Sequence, residues 1–166
     1  MPNSCSARGG WPPARKAARA TLPASPPPRA PAALRNCDCW IPALSLVAEA
    51  EGGDIIGHEL SSWGRIGPVR VPNLSLLGVH PGHRRRGVGS ALVHASLAAA
   101  DALEAPMVVV LGDPDYYGRF GFRRSTDFGV VGQELAWEHM FRIRTLAAYD
   151  PVVQGEFIHP DPFDHV

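Results

Sequence analysis

A run of arginines leads directly into two glycines and the start of a helical pattern. The stretch HPGHRRRGVGSALVHASL, residues 80–97, places arginines 84–86 immediately before Gly87 and Gly89. A helix N-terminus presents unpaired N–H donors and about half a positive charge. Arginines add forked, charged donors, and glycines let a ligand approach the backbone closely. These features together predict a phosphate-binding loop.

The spacing in this loop differs from that of two common phosphate-binding loops. No Gly-Lys-Ser/Thr follows the glycines, as it does in a P-loop. The pattern Arg84-x-x-Gly87-x-Gly89 also lacks the third glycine of a dinucleotide fingerprint. Taken alone, the loop is equally well explained as a polar turn in which glycine serves packing.

The loop is predicted to join a strand to a helix in a mixed α/β sheet. Three strand patterns precede it: ALSLVAEA, IIGHELSSW and VPNLSLLGVH, which begin at residues 43, 55 and 71. A helix is predicted over residues 87–103. Its predicted apolar stripe consists of Val88, Leu92, Ala95, Ala99 and Leu103.

The chain after this helix continues the alternation of strands and helices. APMVVVLGD, residues 105–113, is almost wholly apolar, which is typical of a strand covered on both faces. Asp113 before Pro114 predicts the start of a short helix. Extended segments follow at FGVVGQ and HMFRIRTL, and EFIHPDPFDHV is expected to be irregular or an edge strand. The order of elements predicts a mixed α/β sheet.

Residues 1–36 differ from the rest of the chain in composition. They contain no Asp or Glu, six Arg or Lys residues and many prolines. Such a segment cannot bury enough apolar surface to offset its ordering entropy, so a disordered tail is expected, with a short helical piece near residues 14–20. An acid-free, Arg-rich leader is also typical of an organelle transit peptide. Residues 37–166 are expected to form the folded domain.

The totals for the whole chain exclude several classes of protein. The formal net charge is zero and the pI is about 7.1, which does not favour nucleic-acid binding. No apolar run has the length of a membrane span or a signal peptide, so a cytoplasmic protein without membrane contacts is expected. Cys37 and Cys39 lack a second pair at ligand spacing, so reduced thiols and no metal are expected.

A second motif lies about thirty residues after the arginine loop. GDPDYYGRFGF contains Tyr117-x-x-x-Gly121-Phe122 directly after the apolar strand. With Arg84-x-x-Gly87-x-Gly89 on a strand–loop–helix, this order resembles the GNAT superfamily of acetyl-CoA-dependent N-acetyltransferases. The wider run VVVLGDPDYYGRFGFR is similar to a bacterial subgroup of predicted N-acetyltransferases. The resemblance covers the chain from about Trp40 to its end.

The resemblance implies a mostly antiparallel central sheet with helices on both faces and a gap between two central strands. Those strands would be residues 74–79 and 107–111. In the family, the pantetheine arm of acetyl-CoA lies in this gap and the pyrophosphate lies on the loop. The coenzyme-binding positions that it implies are Leu77, Gly78, Val79, Arg84, Arg85, Arg86, Gly87, Val88, Gly89 and Ser90.

The resemblance also gives Tyr117 a catalytic role. An amine attacks the thioester, a tetrahedral oxyanion forms, and the coenzyme A thiolate leaves. Tyr117 matches the family tyrosine that protonates this thiolate as a general acid, whereas Tyr116 is expected to be structural. Three residues are open as the general base, Glu59, His80 and Asp113, and some family members use water chains instead. The acceptor amine is not defined by the sequence.

The N-terminal region departs from the family pattern. Family members begin with a strand and two helices that help to form the acceptor pocket, and residues 1–36 do not resemble that unit. An exposed sheet edge and a possible homodimer would follow. The leading hypothesis is an N-acetyltransferase that acts on a primary amine. The alternatives are a non-catalytic acyl-CoA-binding protein or an inactive relic.

Overall fold

The computed structural model describes residues 15–16, 36–133 and 135–160. Within these residues the chain forms a nine-stranded, mostly antiparallel sheet with two α-helices, which confirms the predicted mixed α/β class. The strands are β1 (Arg15–Lys16), β2 (Trp40–Glu49), β3 (Ile55–Ile66), β4 (Val69–Val79), β5 (Met107–Leu111), β6 (Arg123–Arg124), β7 (Val130–Val131), β8 (Phe141–Thr145) and β9 (Gly155–Ile158). The helices are α1 (Val88–Ala102) and α2 (Pro114–Gly118), with 3-10 turns at Pro81–His83, Ser125–Phe128 and Leu135–Met140.

The first half of the sheet is an antiparallel meander. β2 pairs with β3, and β3 pairs with β4 along nearly its whole length. The two hairpin turns contain Gly53 and Gly67, which both adopt positive φ angles. Strand β4 therefore has β3 on one side and is available to β5 on the other.

The outer edge of β2 is paired by a short piece of the N-terminal region. Arg15 lies opposite Val47, and Lys16 lies opposite Leu46. At Arg15 and Lys16 the chain is a strand, whereas a helical piece was predicted near residues 14–20, and the pairing with β2 satisfies edge groups that would otherwise be unpaired. The remaining residues of the predicted tail, 1–14 and 17–35, lie outside the described residues.

The join between the two halves of the sheet is short. β4 and β5 are parallel, and their register contains two pairs, Asn73 with Val109 and Leu74 with Val110. The rest of the second half is antiparallel, because β8 pairs with β5 and β6 pairs with β8. The sheet order is β1-β2-β3-β4-β5-β8-β6.

Helix α1 covers the first face of the sheet. Its buried residues are Val88, Leu92, Val93, Ser96 and Ala100. The predicted stripe is correct at Val88 and Leu92, and its Ala95 and Ala99 are half-buried against the core clusters. It is wrong at Leu103, which is 42 % exposed. The buried face continues instead through Ser96, a polar residue that an apolar pattern does not detect. Side chains of α1 and α2 join one core cluster with β5.

The second face of the sheet is covered by the end of the chain. Phe157 of β9 packs with Phe141, Ile143 and Met107 in a separate core cluster. Strand β9 pairs with β3 of the first half and with β7, and through Phe157 it packs against β5 and β8 of the second half. The 3-10 turn Ser125–Phe128 also lies on this face, where Phe128 packs against the cluster, and neither described α-helix contributes to that cluster.

Cys37 and Cys39 form a disulfide at the turn that leads into β2, whereas reduced thiols were expected. The two-residue separation already brings their Cα atoms to 5.1 Å, a usual distance for a disulfide.

Neither α-helix in the described part of the chain has the length and apolar character needed to cross a membrane.

Candidate functional site

A fork opens where β4 and β5 stop pairing. Their last register pair is Leu74 with Val110, after which β4 continues to Val79 while β5 ends at Leu111. The β3–β4 register shifts at the same level, because Leu60 lies opposite Leu76 and Ser61 lies opposite Leu74. The extra residue, Ser75, forms a β-bulge, which bends a strand and increases its local twist. The bulge therefore lies one residue beyond the last β4–β5 pair, at the level where the fork opens.

The first turn of α1 lies at the open end of the fork. Gly87 is the N-cap residue with φ of 85°, and the first intrahelical bond runs from Ala91 N to Gly87 O. The N–H groups of Val88, Gly89 and Ser90 precede this bond, and the structure shows no side-chain capping bond at this helix end. These donors and the helix dipole together suit an anion.

The three arginines of the loop have different environments. Arg84 Nε donates to the Val79 carbonyl over 3.3 Å, so this side chain anchors the loop to the end of β4. Arg85 has a φ of 58°, a left-handed conformation that is uncommon for a residue with a β-carbon. Arg85 and Arg86 are exposed. The loop thus presents two charged side chains beside the uncapped helix end.

Tyr116 connects α2 to the first turn of α1. A β-carbon built on Gly89 would lie 2.6 Å from the Tyr116 hydroxyl oxygen. The tyrosine ring also stacks under Arg119, whose guanidinium carbon lies 4.3 Å from the ring centroid. Partial burial raises the pKa of Tyr116, and the Arg119 charge opposes this effect. Tyr116 therefore fixes the separation of the two helices at the fork.

Tyr117 is buried beside the end of β5. Its side chain is 9 % exposed, and its ring packs on Gly112 and makes edge contacts with Phe122 and Tyr116. Burial is the largest cause that raises the pKa of Tyr117 to about 12, and the charges of Tyr116 and Glu59 act in the same direction. The phenol is therefore protonated at neutral pH.

Glu59 is a buried acid in the middle of β3. It is 1 % exposed, and its Oε1 accepts a hydrogen bond from Ser61 Oγ over 2.5 Å. Burial raises its pKa to about 8, although Ser61 and Ser96 both favour the charged form. Neither Glu59 Oε2 nor Ser96 Oγ has a hydrogen-bond partner among the described residues. The Ser96 hydroxyl therefore lowers the pKa of Glu59 from nearby without a formed hydrogen bond. Glu59 lies beneath α1 and not at the surface.

The other two candidate bases have structural roles. His80 Nδ1 accepts a hydrogen bond from Gly82 N over 3.3 Å and caps the turn Pro81–His83. Asp113 Oδ1 accepts from Asp115 N over 2.9 Å and caps α2, as its place before Pro114 predicted. Both groups are exposed at the fork.

A polar cluster at the fork has no counterpart among the residues predicted from the sequence. Ser75 Oγ donates to the Asn73 carbonyl over 3.0 Å and accepts from Asn73 Nδ2 over 3.3 Å. The Ser62 and Ser75 hydroxyls are 2.8 Å apart. Because the Ser75 proton is already used, Ser62 must be the donor in this pair. The sequence pattern does not predict this cluster, because the bulge at Ser75 interrupts the regular alternation of side chains between the two faces of the sheet.

The structure brings most of the predicted site residues together at the fork. The end of β4 that does not pair with β5 includes Leu77, Gly78 and Val79, and the loop residues 84–90 follow it. Tyr117 lies across the gap on α2. No group of three or more metal-ligating side chains occurs in the described ranges.

Comparison with known proteins identifies relatives of this arrangement. The family model for the acetyltransferase (GNAT) domain matches residues 39–124. A protein of Escherichia coli strain K12 named uncharacterized N-acetyltransferase YhbS is 31 % identical over 111 residues. That alignment covers 63 % of this chain and 64 % of the relative, so it spans less than two thirds of the relative's length.

Two solved structures resemble the fold. The GNAT family N-acetyltransferase YhbS from Escherichia coli, in complex with CoA, superposes with a TM-score of 0.75 and 26 % identity, covering 82 % of this chain and 76 % of that one. A GNAT family acetyltransferase from Brucella melitensis, in complex with acetyl-CoA, gives a TM-score of 0.65 and 29 % identity over 82 % and 77 % of the two chains. With the family match extending over more than half of its length, the chain belongs to the GNAT acetyltransferase family.

Proposed function

We propose that the protein transfers an acetyl group from acetyl-CoA to a primary amine by direct attack of the amine on the thioester. The observation that carries this proposal is the fork between β4 and β5, which opens beside the uncapped first turn of α1. A long ligand with an anionic end fits such a site, because its charged part can lie on the helix end while its arm enters the fork.

The proposed coenzyme site follows the residues of β4 and the loop. The two related structures contain CoA and acetyl-CoA, which supports the same ligand here. In the proposal, the arm lies along the free end of β4 and the pyrophosphate lies on the backbone amides of the loop. The contributing residues are Leu77, Gly78, Val79, Arg84, Arg85, Arg86, Gly87, Val88, Gly89 and Ser90.

Tyr117 is the proposed general acid. The amine nitrogen forms a bond to the thioester carbon, the carbon–sulfur bond breaks, and the thiolate takes the phenolic proton. The attacking nitrogen loses its proton to solvent, and the Tyr117 phenolate regains a proton from solvent. A tyrosine with a pKa of about 12 retains its proton at neutral pH, which supports its role as a donor. Its burial beside the end of β5 places it next to the fork.

Binding and turnover test this function separately. Calorimetric titration of acetyl-CoA into the full chain should give a one-to-one isotherm. Release of coenzyme A should then depend on an added amine from a panel of small amines, aminoglycosides and peptides. Tyr117→Phe should lower kcat by roughly a hundred- to ten-thousand-fold while binding is retained. Tyr149→Phe is the matched control, because Tyr149 packs on the second face against Phe128.

Two results would contradict the proposal. Absence of binding by folded protein would remove acetyl-CoA as the ligand. Binding without turnover on any amine, with Tyr117→Phe equal to the parent protein, would favour a non-catalytic acyl-CoA-binding protein.

A further inference from the structure

Three arginines share one face of the sheet beside α2. Along β8, Arg142 and Arg144 alternate with residues that are buried on the second face. Their partners on β5 are Val110 and Val108, which belong to the core cluster that α1 and α2 also join. On β6, Arg124 lies directly opposite Arg142. All three side chains, called the edge arginines, therefore lie on the first face where the sheet ends.

The edge arginines bring like charges together without an acid. Directly opposite residues of an antiparallel pair have β-carbons about 5 Å apart, and like charges at such positions destabilise a sheet. Within the described ranges, the ion pair joins Arg123 to Asp127, and none of the edge arginines takes part in one. Arg123 is opposite Ile143 and therefore lies on the second face. The described residues thus leave the charge of the edge arginines uncompensated.

Arg142 is held in place, but its hydrogen-bonding capacity is not used up. Its Nη2 donates to the His139 carbonyl over 3.0 Å, which holds the guanidinium near the start of β8. Its Nε is buried and has no hydrogen-bond partner among the described residues. A guanidinium carries five N–H donors in a rigid fork. A fork that is already fixed loses little side-chain entropy when it binds an oxyanion.

Gly121 of the tyrosine motif provides space for Arg144. Gly121 has a φ of 81°, and a β-carbon built on it would lie 3.2 Å from Arg144 Nε and 3.3 Å from Arg144 Cζ. A side chain at this position would therefore press on the guanidinium. The glycine of the motif thus lets Arg144 lie against the turn that follows α2, on the same face as Arg142.

The edge arginines lie one strand away from the fork. Val110 is the last residue of β5 that pairs with β4, and its partner on the other side is Arg142. Neighbouring strands are about 4.8 Å apart, so β8 lies roughly 10 Å from β4 at this level. That separation matches a small molecule that has an amine at one end and an oxyanion at the other.

We propose that the edge arginines form an oxyanion-binding site for a carboxylate or phosphate group. Arginine forks match both groups through paired N–H···O bonds. The group is carried by the acceptor amine or belongs to a free anion, and the two sources share this chemistry. The site itself is inferred from β6 and β8 and does not depend on acetyl transfer. Its assignment to the acceptor rests on the proposed function.

Residue-specific NMR with inorganic phosphate tests the site. The backbone and Nε–H signals of Arg142 and Arg144 should shift in a saturable way, whereas those of Arg123 should not, because Arg123 lies on the other face. Arg124→Gln should weaken this binding roughly fivefold. Arg123→Gln removes the same charge from the same strand and should leave the binding unchanged. Equal effects of the two substitutions, or no saturable shift at Arg142 and Arg144, would overturn the proposal.

A second variant guards against failure to fold. Arg124 and Arg144 are both exposed, so Arg144→Gln replaces Arg124→Gln if the latter does not fold. It should weaken phosphate binding by a similar factor, because it also removes one of the three guanidinium groups. Unchanged phosphate binding in a folded Arg144→Gln protein would contradict the proposed site.

Kinetics with paired amines identify the source of the anion. The pair differs only in the oxyanion, as in a long ω-amino acid and its carboxamide. If the acceptor carries the anion, the acid should have the lower KM, and Arg124→Gln should raise that KM roughly fivefold without changing that of the carboxamide. Phosphate binding with equal KM values for the pair would support the site as one for a free anion. Phosphate binding by a protein that acetylates no amine would support the site and contradict the proposed function.

Discussion

The hydroxyl oxygen of Tyr116 lies 2.6 Å from the position that a β-carbon would take on Gly89. Helices α1 and α2 therefore meet at the fork with no room for a side chain at Gly89. The first turn of α1 supplies the proposed pyrophosphate amides, so this contact links the spacing of the two helices to coenzyme binding. Gly89 and Tyr116 are consequently expected to be energetically coupled.

Substitution of Gly89 tests this coupling. Gly89→Ala should weaken acetyl-CoA binding about tenfold, because the methyl group forces Tyr116 or the first turn to move and overpacking typically costs ~1–3 kcal/mol. In the Tyr116→Phe background the same substitution should be nearly neutral, since the next ring atom is 3.9 Å away. Calorimetry on the four proteins measures the coupling. Equal losses in both backgrounds would show that the two residues act independently.

Gly87 is expected to tolerate substitution poorly for a different reason. No atom lies within 4 Å of a β-carbon at this position, but φ is 85°, which residues with side chains rarely adopt. Gly87→Val should lower the free energy of unfolding by roughly 1–2 kcal/mol and weaken coenzyme binding, because the loop must change its conformation. Gly52→Ala, at an open turn position without a positive φ, is the control. Unaltered binding by Gly87→Val would argue against a role for the loop backbone.

Gly112 supports the ring of Tyr117. A β-carbon there would overlap the ring, so Gly112→Ala should displace Tyr117 and lower kcat towards the value of Tyr117→Phe. Acetyl-CoA affinity should change much less, because Gly112 lies outside the proposed coenzyme loop. Gly118→Ala, where no atom lies within 4 Å of the added carbon, should behave like the parent protein. A Gly112→Ala variant with the kcat of the parent protein would argue against Tyr117 as the general acid.

Glu59 should make the stability of the protein depend on pH. Its pKa is about 8 in the folded protein against 4.5 for the unperturbed group, so the native state holds a proton that the unfolded state loses. The contribution to stability is complete below pH 4.5 and is lost as pH rises to 8, a change of roughly 5 kcal/mol. Urea denaturation at several pH values should show this slope in the parent protein, and Glu59→Gln should lack this contribution. Identical slopes would mean that Glu59 is ionised in the native state.

Much of the architecture was predictable because apolar patterning and turn residues act locally. The boundaries of β5, α1 and α2 follow from an apolar run, a glycine before the helix and the Asp113–Pro114 pair. Ser96 and the polar cluster were not predicted, because their burial depends on partners far along the chain. Glu59 was identified as a candidate base, but its position beneath α1 depends on the register of β3 with β4 and on the packing of α1 across them.

The two-pair join between β4 and β5 has a consequence for cooperativity. Few backbone hydrogen bonds connect the halves of the sheet, and side chains of α1 and β9 that pack against β5 add to the linkage between them. Partial opening along this line should require less energy than opening elsewhere in the sheet. The proposed ligand enters along the same line. Substitutions that extended the pairing of β4 with β5 would therefore close the fork. They would make the fold more stable and would block the proposed ligand from entering the fork.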